Sequence, residues 1–403
     1  MHRSHKIRLR PDKEQEDYFR QACGTSRFAW NWALNRSKEL YEAGLPNDWK
    51  VLNAEFNALK KTDFAWAYEV TSQASNNSIL CLGGAFKSFF KKETGYPKFK
   101  KKGQKDSFYL PAPAFKVKDE SIWITKLGTV KMEQSLRFDG KIISATISRR
   151  ADKWYVSIVV EIPGNDLIEI PVTRNDEGKS ENQATGNSIG IDLGINYFAA
   201  LSNGEFIENP RFMKSSLKRL RRLSKNLSRK QKGSKNWYKA KMKLARFHAK
   251  IADRRDAFLH ELTTDLTRRF DIICLEDLHV KGLCRTRLAQ SMYDVACGEF
   301  RRQISYKSNE TRFVGRFDTT SKICSACGER NNNLKRGDRV FRCVCGHVED
   351  RDLNASKNIE FKGLRNPVRI LRRLPPDVMP VETKALARCP KRRAKPSSVK
   401  QEI

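Results

Sequence analysis

The amino-acid sequence predicts a multidomain protein of the α+β class, because its hydrophobic pattern changes twice along the 403 residues. Apolar residues at helical spacing dominate residues 11–93, and short runs rich in Ile, Val and Thr dominate residues 107–162. From residue 188 onward, short apolar strands alternate with long helices, a pattern typical of a domain built on a mainly parallel sheet. The polar, turn-rich residues 166–187 are the predicted linker before this domain.

The first half of the chain predicts a β-barrel interrupted by helices. Residues 5–10 alternate like a single strand that ends at Pro11, and we expect this strand to join the strands of the later all-β block. Residues 1–10 and 94–165 would then form one barrel, and residues 11–93 would be a helical insertion.

The second half predicts strands and basic helices, followed by a tail. The tail at 363–403 is basic and rich in Pro, and it is predicted to be disordered. The predicted elements are strands at 188–193 and 197–201, two long helices within 211–269, a strand at 271–275, a helix at 286–307 and a strand at 311–317.

The charge of the chain predicts a polyanionic partner. Lys and Arg number 79 against 46 Asp and Glu, which gives a formal net charge of +33. An excess of this size repels itself in the folded state, so we interpret nucleic acid as the partner and expect its binding to weaken with salt. No apolar run approaches the ~18–20 residues of a membrane span. The start of the chain lacks the apolar core of a secretory signal. We therefore expect a cytoplasmic protein without membrane contact.

Three acidic residues stand where the pattern of strands and helices predicts a functional site. Asp192 and Glu276 each lie at the end of a predicted strand, at the sheet edge where α/β proteins place their sites, and Asp352 lies at the start of a predicted helix. Carboxylates suit hard cations such as Mg²⁺, and two such ions side by side can cut a phosphodiester. Three nearby acids rank second as ligands: Asp277, Glu349 and Asp350.

Four of the ten cysteines have the spacing of a zinc ribbon. Cys324 and Cys327 form a Cys-x-x-Cys pair, and Cys343 and Cys345 form a Cys-x-Cys pair about sixteen residues later. Four protein ligands leave no open position on the ion, so the predicted zinc is structural. The shortened second pair leaves open whether His347 replaces one sulfur, and a redox dithiol is the alternative interpretation.

In this order, the motifs resemble those of the TnpB (OrfB) family, which many prokaryotic insertion sequences encode and which is related to type V CRISPR effector nucleases. The resemblance covers nearly the whole chain, and its most specific feature is the order of Asp, Glu, cysteine-rich segment and Asp. The matching segments are KIRLRPDKEQ, SRFAWNWALN, GYPKFKKKGQKDSF, GIDLGINYFAALSNGE, LEDLHVKGL, TTSKICSACGE and CGHVEDRDLNASKNI.

The resemblance implies a RuvC-like nuclease of the RNase H type that contains a zinc ribbon, and a wedge β-barrel that contains a helical recognition domain. It also implies that Asp192, Glu276 and Asp352 are the catalytic acids and hold two Mg²⁺ ions. The implied domains are the nuclease at 188–318 and 348–362, the zinc ribbon at 319–347, the wedge barrel at 1–10 and 94–165, and the recognition domain at 11–93.

The partners implied by the resemblance are a guide RNA from the transposon end and a double-stranded target DNA, which the protein cuts next to a short adjacent motif. A monomer is the expected state. The basic helices would line the channel for the RNA–DNA heteroduplex. Their expected contact residues are Lys218, Arg219, Arg221, Arg222, Lys225, Arg229 and Lys230. Gln73, Asn76 and Asn77 have the chemistry to read base edges, although helix capping is an equal alternative.

Two other functions compete with this hypothesis. The chain could be a nuclease-inactive, RNA-guided DNA-binding regulator, or a transposase of the RNase H fold that catalyses strand transfer. All three acids are present, which argues against the inactive regulator, and the zinc ribbon before the last acid favours a nuclease over a transposase. One departure from the family is Cys297, which stands where relatives commonly carry tryptophan.

Overall fold

The structure is a computed structural model that describes residues 2–162, 167–170, 172, 186–278, 289–316, 318–335 and 337–373. Within these residues, no helix is both long enough and apolar enough to cross a membrane. Two seven-stranded sheets and one two-stranded hairpin organise the described part of the chain.

The amino-terminal helices form a unit with its own apolar core. The first helix begins with a capping box, in which Asp12 and Gln15 satisfy each other's free backbone N–H groups. Trp30, Trp32 and Phe56 are among the side chains that pack between the helices. The helices are α1 (Lys13–Glu42), α2 (Trp49–Leu59) and α3 (Gln73–Phe90).

An antiparallel sheet surrounds the second core, and β1 (His2–Arg10) lies inside it. β1 pairs with two strands from the later block, for example Ile7 with Val156 and Leu9 with Met132, which confirms that the first strand joins the all-β block. The remaining strands are β2 (Ser107–Pro111), β3 (Phe115–Lys118), β4 (Ser121–Ile124), β5 (Gly128–Met132), β6 (Lys141–Arg150) and β7 (Lys153–Glu161). The hydrogen-bonded order of the seven strands is β2-β6-β7-β1-β5-β4-β3.

The carboxyl-terminal domain is a mixed sheet in the order β11-β10-β9-β12-β13-β16-β8. Strands β9, β12 and β13 run parallel, and the other pairings are antiparallel. The strands are β8 (Leu167–Ile170), β9 (Ser188–Leu193), β10 (Tyr197–Leu201), β11 (Phe206–Glu208), β12 (Ile272–Glu276), β13 (Glu310–Val314) and β16 (Arg369–Arg373), and β14 (Val340–Arg342) and β15 (Val348–Asp350) form the separate hairpin.

Among the residues that the structure describes, five helices accompany this sheet. The predicted helix at 286–307 is wrong as a single element, because Ala296 adopts a left-handed conformation with φ of 53° and separates two helices. Cys297 follows this break and is buried in the core of the domain. The helices are α4 (Phe212–Ser228), α5 (Lys235–Arg269), α6 (Ala289–Val295), α7 (Cys297–Lys307) and α8 (Arg351–Arg365).

The predicted linker and the predicted disordered tail each contribute a strand to this sheet, so both predictions need correction. β8 lies within the predicted linker, and β16 lies within the predicted tail. β16 pairs with β13 and β8 pairs with β16, which satisfies backbone groups that an unstructured segment would leave to water. Of these two segments, residues 166, 171, 173–185 and 374–403 lie outside the described residues.

Helix α8 lies unusually close to the sheet at two glycines. A Cβ atom added to Gly190 of β9 would lie 2.1 Å from the carbonyl oxygen of Ser356 and 2.6 Å from the backbone nitrogen of Glu360. A Cβ added to Gly363 of α8 would lie 2.6 Å from Sγ of Cys274 on β12. These glycines therefore allow the helix backbone to contact the backbone of β9 and the Cys274 side chain of β12.

We predict that Gly190→Ala destabilises the carboxyl-terminal domain by about 3 kcal/mol or more, because the new methyl group meets backbone atoms that cannot move without shifting α8. Thermal unfolding measures the effect. Gly298→Ala in α7 is the matched control, since a Cβ there meets nothing within 4 Å. Equal melting temperatures for the two variants would contradict the packing described here.

Candidate active site and metal centre

Asp192, Glu276 and Asp352 come together at the carboxyl end of the parallel strands. Leu275 pairs with Ile191, so Glu276 and Asp192 are the next residues on adjacent strands and project from the same face of the sheet. Asp352 lies in the first turn of α8, the helix that crosses β9 at Gly190. The predicted convergence of the three acids on one side of the sheet edge is what this geometry produces.

The electrostatics of Asp192 reflect its neighbours. Burial, which is the largest cause, and the charges of Glu276 and Asp352 together raise the pKa of its carboxyl to about 8. Arg351 acts in the opposite direction but does not compensate. Without a cation, the site therefore holds a proton at neutral pH, because several carboxylates cannot all ionise at close range.

Glu276 and Asp352 are held by different partners. Burial raises the pKa of Glu276, while a hydrogen bond from the Thr320 hydroxyl to its Oε1 (2.5 Å) and the charge of Lys362 oppose this rise. Burial also raises the pKa of Asp352, and Nη1 of Arg339 lies 3.6 Å from its Oδ2. Both carboxylates are thus oriented but remain half-buried and reachable.

The three acids ranked second have other roles. Asp277 forms ion pairs with Arg301 (2.6 Å) and Arg316 (3.5 Å). Oδ1 of Asp350 accepts hydrogen bonds from the backbone N–H groups of residues 352 and 353 and so caps α8. Glu349 is paired with Lys357.

The four predicted cysteines converge on one point. Their sulfur atoms all lie within 4.8 Å of one another, with 3.8 Å between Cys324 and Cys345 and 3.5 Å between Cys327 and Cys343. A tetrahedral zinc with Zn–S bonds of about 2.3 Å separates its sulfurs by about 3.8 Å, so the donor set fits this ion. A hydrogen bond from the backbone N–H of His347, which is the largest cause, and the neighbouring cysteine side chains together lower the pKa of Cys345 to about 7.

His347 lies beside this cluster and makes other contacts. Its Nε2 is 3.3 Å from Glu349 and 3.4 Å from the hydroxyl of Ser325. We define a candidate metal site as three or more ligand atoms of Cys, His, Asp or Glu that all lie within 4.8 Å of one another. Across the described residues, the four cysteine sulfurs are the set that meets this definition. Asp192, Glu276 and Asp352 do not all place ligand atoms within this distance of one another.

The predicted nucleic-acid contacts fall on two surfaces. The seven predicted contact residues on α4 and the following turn are exposed, and Arg219 also stacks on Phe247 of α5 at 4.7 Å. Gln73, Asn76 and Asn77 lie in the first turns of α3 and are half-buried, and the Asn76 amide oxygen accepts a bond from Lys60 (3.3 Å). Their role in base recognition stays a prediction.

Sequence reasoning missed two contacts of the acids, those from Thr320 and Arg339. Both residues belong to the segment around the cysteines, far from Glu276 in the chain. No pattern in the sequence indicates that Thr320, in an irregular segment, would contact Glu276 at the end of a strand. The ion pair of Arg339 with Asp352 likewise depends on how the hairpin β14–β15 leads into α8.

Comparisons with known proteins agree with this architecture. Family models match residues 158–287 (OrfB_IS605, "Probable transposase"), 1–45 (HTH_OrfB_IS605, "Helix-turn-helix domain") and 298–359 ("Cas12f1-like, TNB domain"). A protein of Streptomyces pristinaespiralis named "Putative RNA-guided DNA endonuclease" is 33% identical over 374 residues, which cover 90% of this chain and 89% of that protein. The similarly named InsQ of Escherichia coli (strain K12) is 31% identical and covers 89% of this chain and 91% of its own length.

A match to the solved structure titled "Cryo-EM structure of CRISPR-Cas12f Ternary Complex" covers 87% of this chain and 82% of that chain, with a TM-score of 0.34 and 16% sequence identity.

The fold, the acidic edge and the family matches place the chain in the class of multidomain α/β proteins of mobile genetic elements. Identity above 30% over about nine-tenths of two relatives makes the assignment specific. The chain belongs to the TnpB (OrfB) family.

We predict that Asp192→Asn stabilises the metal-free protein in a pH-dependent way. Because the folded-state pKa of Asp192 is raised, its stabilising contribution is complete below the ordinary value of 3.8 and is lost as pH rises towards about 8. The variant should match the wild type near pH 4 and exceed it at pH 8 by at most about 5 kcal/mol. Hydrogen exchange of β9 and β12 in EDTA measures the difference.

Asp256→Asn on α5 is the matched control for this experiment, since Asp256 is exposed. Added Mg²⁺ should reduce the advantage of Asp192→Asn at pH 8, because the cation binds only the wild-type site. Identical pH profiles for the two variants would show that Asp192 lacks the raised pKa.

We predict that the isolated protein carries about one zinc ion per chain and that Cys343→Ser loses it, because one tetrahedral ligand is missing. His347→Ala should keep the zinc, since His347 faces Glu349 and Ser325. Metal analysis of the purified variants measures this, with the exposed Cys81→Ser as control. Loss of zinc from His347→Ala would make the histidine a ligand.

Proposed function

We propose that this protein is an RNA-guided DNA endonuclease of the TnpB type, which cuts DNA next to a short adjacent motif. The observation that supports the proposal most is the meeting of Asp192, Glu276 and Asp352 at one sheet edge, together with the raised pKa of Asp192. The names of the relatives supply the substrate and the guide, because both are called RNA-guided DNA endonucleases.

In this proposal the three acids hold two Mg²⁺ ions. Three carboxylates that repel each other at neutral pH fit such cations, because a divalent ion offsets the repulsion that otherwise keeps Asp192 protonated. When bound, a pair of Mg²⁺ ions supplies a water nucleophile and stabilises the charge that develops on the phosphate. Thr320 keeps Glu276 oriented, and Arg339 beside Asp352 lies where it can contact a phosphate.

The finer domain assignments also belong to this proposal. A mixed sheet with acids at the ends of β9 and β12 supports a RuvC-like nuclease of the RNase H type over residues 188–318 and 348–362. The sulfur spacing supports one structural zinc in the ribbon at 319–347. The sheet around β1 supports a wedge barrel, with α1, α2 and α3 as the inserted recognition domain.

The basic surface provides the proposed binding site for guide RNA and target DNA. Exposed Lys and Arg residues lie on α4 and the turn after it, and one of them, Arg219, also stacks on Phe247 of α5. Such a surface reads the backbone and shape of a heteroduplex, while base pairing with the guide selects the sequence. The net charge of +33 is consistent with two nucleic-acid partners.

We predict that Asp192→Ala, Glu276→Ala and Asp352→Ala each reduce cleavage of matched DNA by at least about a thousandfold. Binding of guide RNA and target should stay within a few fold of the wild type, because these residues hold cations rather than bases. Cleavage of a plasmid carrying the target, in Mg²⁺ with copurified RNA, measures activity. Glu261→Ala, an exposed acid on α5, is the control and should cut normally.

The same experiment separates the competing functions. Occupancy of the target without cutting in Mg²⁺ or Mn²⁺ would identify a regulator rather than a nuclease. Joining of transposon ends by the purified protein without RNA would identify a transposase, the activity named by one family model. Cleavage by Asp192→Ala at the wild-type rate would remove the acids from the mechanism.

A further inference from the structure

Three polar side chains lie along α8 at four-residue spacing: Asn354, Asn358 and Lys362. Residues four apart share one face of a helix. Asn354 has no exposed surface and Asn358 only 5%. Burying an amide side chain costs free energy unless it forms hydrogen bonds. The backbone groups that bond to Asn354 and Asn358 are therefore held in place by these two side chains.

All three side chains bind the backbone of residues 319–325, which we call the bridging segment. The segment runs antiparallel to α8. The three side chains, which we call the stripe, form five hydrogen bonds with it. Asn354 Oδ1 accepts a bond from the Ser325 N–H (2.8 Å), and Asn354 Nδ2 donates to the Ile323 carbonyl (2.7 Å). Asn358 Nδ2 donates to the carbonyls of Ile323 (2.6 Å) and Thr320 (2.8 Å). Lys362 Nζ donates to the Thr319 carbonyl (3.2 Å).

The bridging segment contacts both of the residue clusters described above. Cys324, one of the four converging cysteines, lies between the two residues that Asn354 binds. Thr320, near the other end, donates its hydroxyl hydrogen to Glu276. Asp352 belongs to α8 itself, two residues before Asn354. Movement of the segment along the helix would therefore change the position of Glu276 relative to Asp352.

We infer that Asn354, Asn358 and Lys362 are positioning residues that couple the cysteine cluster to the carboxylate site. An ion held by the four cysteines fixes Cys324, and the stripe transmits that position to Thr320 and Glu276. The affinity of the carboxylates for Mg²⁺ then depends on the ion in the cysteine cluster. This inference rests on the proposed function for the role of the carboxylates and adds a link between the two metal sites.

Calorimetric titration of the nucleic-acid-free, full-length protein with Mg²⁺ tests the first part of this link. Thr320→Val preserves the shape of the side chain but removes the hydrogen bond to Glu276, and it should weaken Mg²⁺ binding by about 10- to 100-fold. Thr320→Ser should restore the affinity. Thr319→Val keeps the carbonyl that Lys362 binds and should stay within about twofold of the wild type.

Cys343→Ser tests the coupling between the sites. Loss of the cysteine-bound ion should weaken Mg²⁺ binding by about tenfold. The double variant with Thr320→Val should be less than about twofold weaker than the more affected of the two single variants, because both changes act through one segment. Asn358→Ala should retain zinc yet lose about tenfold in Mg²⁺ affinity, which separates coupling from unfolding of the ribbon.

Unchanged Mg²⁺ affinity in Thr320→Val or Cys343→Ser would overturn the inference, and so would independent, multiplying effects of the two substitutions. A protein that shows these affinities but cuts no DNA contradicts the proposed endonuclease function and leaves the coupling intact. Asp192→Ala assigns the calorimetric Mg²⁺ signal to the carboxylate site, because it removes one carboxylate from that site.

Discussion

The contact between α8 and β9 at Gly190 is the constraint on which the two residue clusters depend. Ser356 and Glu360 place backbone atoms where a side chain on β9 would otherwise stand, so helix and strand approach to the limit that backbone atoms allow. This approach brings Asp352 within the electrostatic influence of Asp192. The same helix turns its Asn354 and Asn358 side chains toward the segment around Cys324.

The acidic site works against the stability of the domain that carries it. Burial and like charge make Asp192 hard to ionise, although the chain as a whole is strongly basic. Nearby cations offset the repulsion only in part. Arg339 forms an ion pair with Asp352 (3.6 Å) and the charge of Lys362 acts on Glu276, yet the pKa values of both carboxyls stay raised. A site of this kind stores repulsion that a divalent ion relieves on binding.

The sequence allowed the acids to be located because strand ends are local signals. Asp192 and Glu276 follow apolar runs that form strands wherever they are buried, and the cysteine spacing is equally local. The strands β8 and β16 could not be found in this way. One is a four-residue run within a turn-rich stretch and the other is a basic run, and such segments become strands only through pairing with a distant partner. The break at Ala296 has no signal either, because alanine favours continuous helix.

The pairing of β8 with β16 has a consequence for biosynthesis. β8 precedes the rest of its sheet, yet its neighbour β16 is the last strand that the structure describes. At about 5–20 residues per second, β8 leaves the ribosome roughly tens of seconds before its partner exists. The nascent domain therefore carries an unpaired edge during translation, and an edge of that kind invites wrong pairing. Completion of this sheet is a late event that waits for nearly the whole described chain.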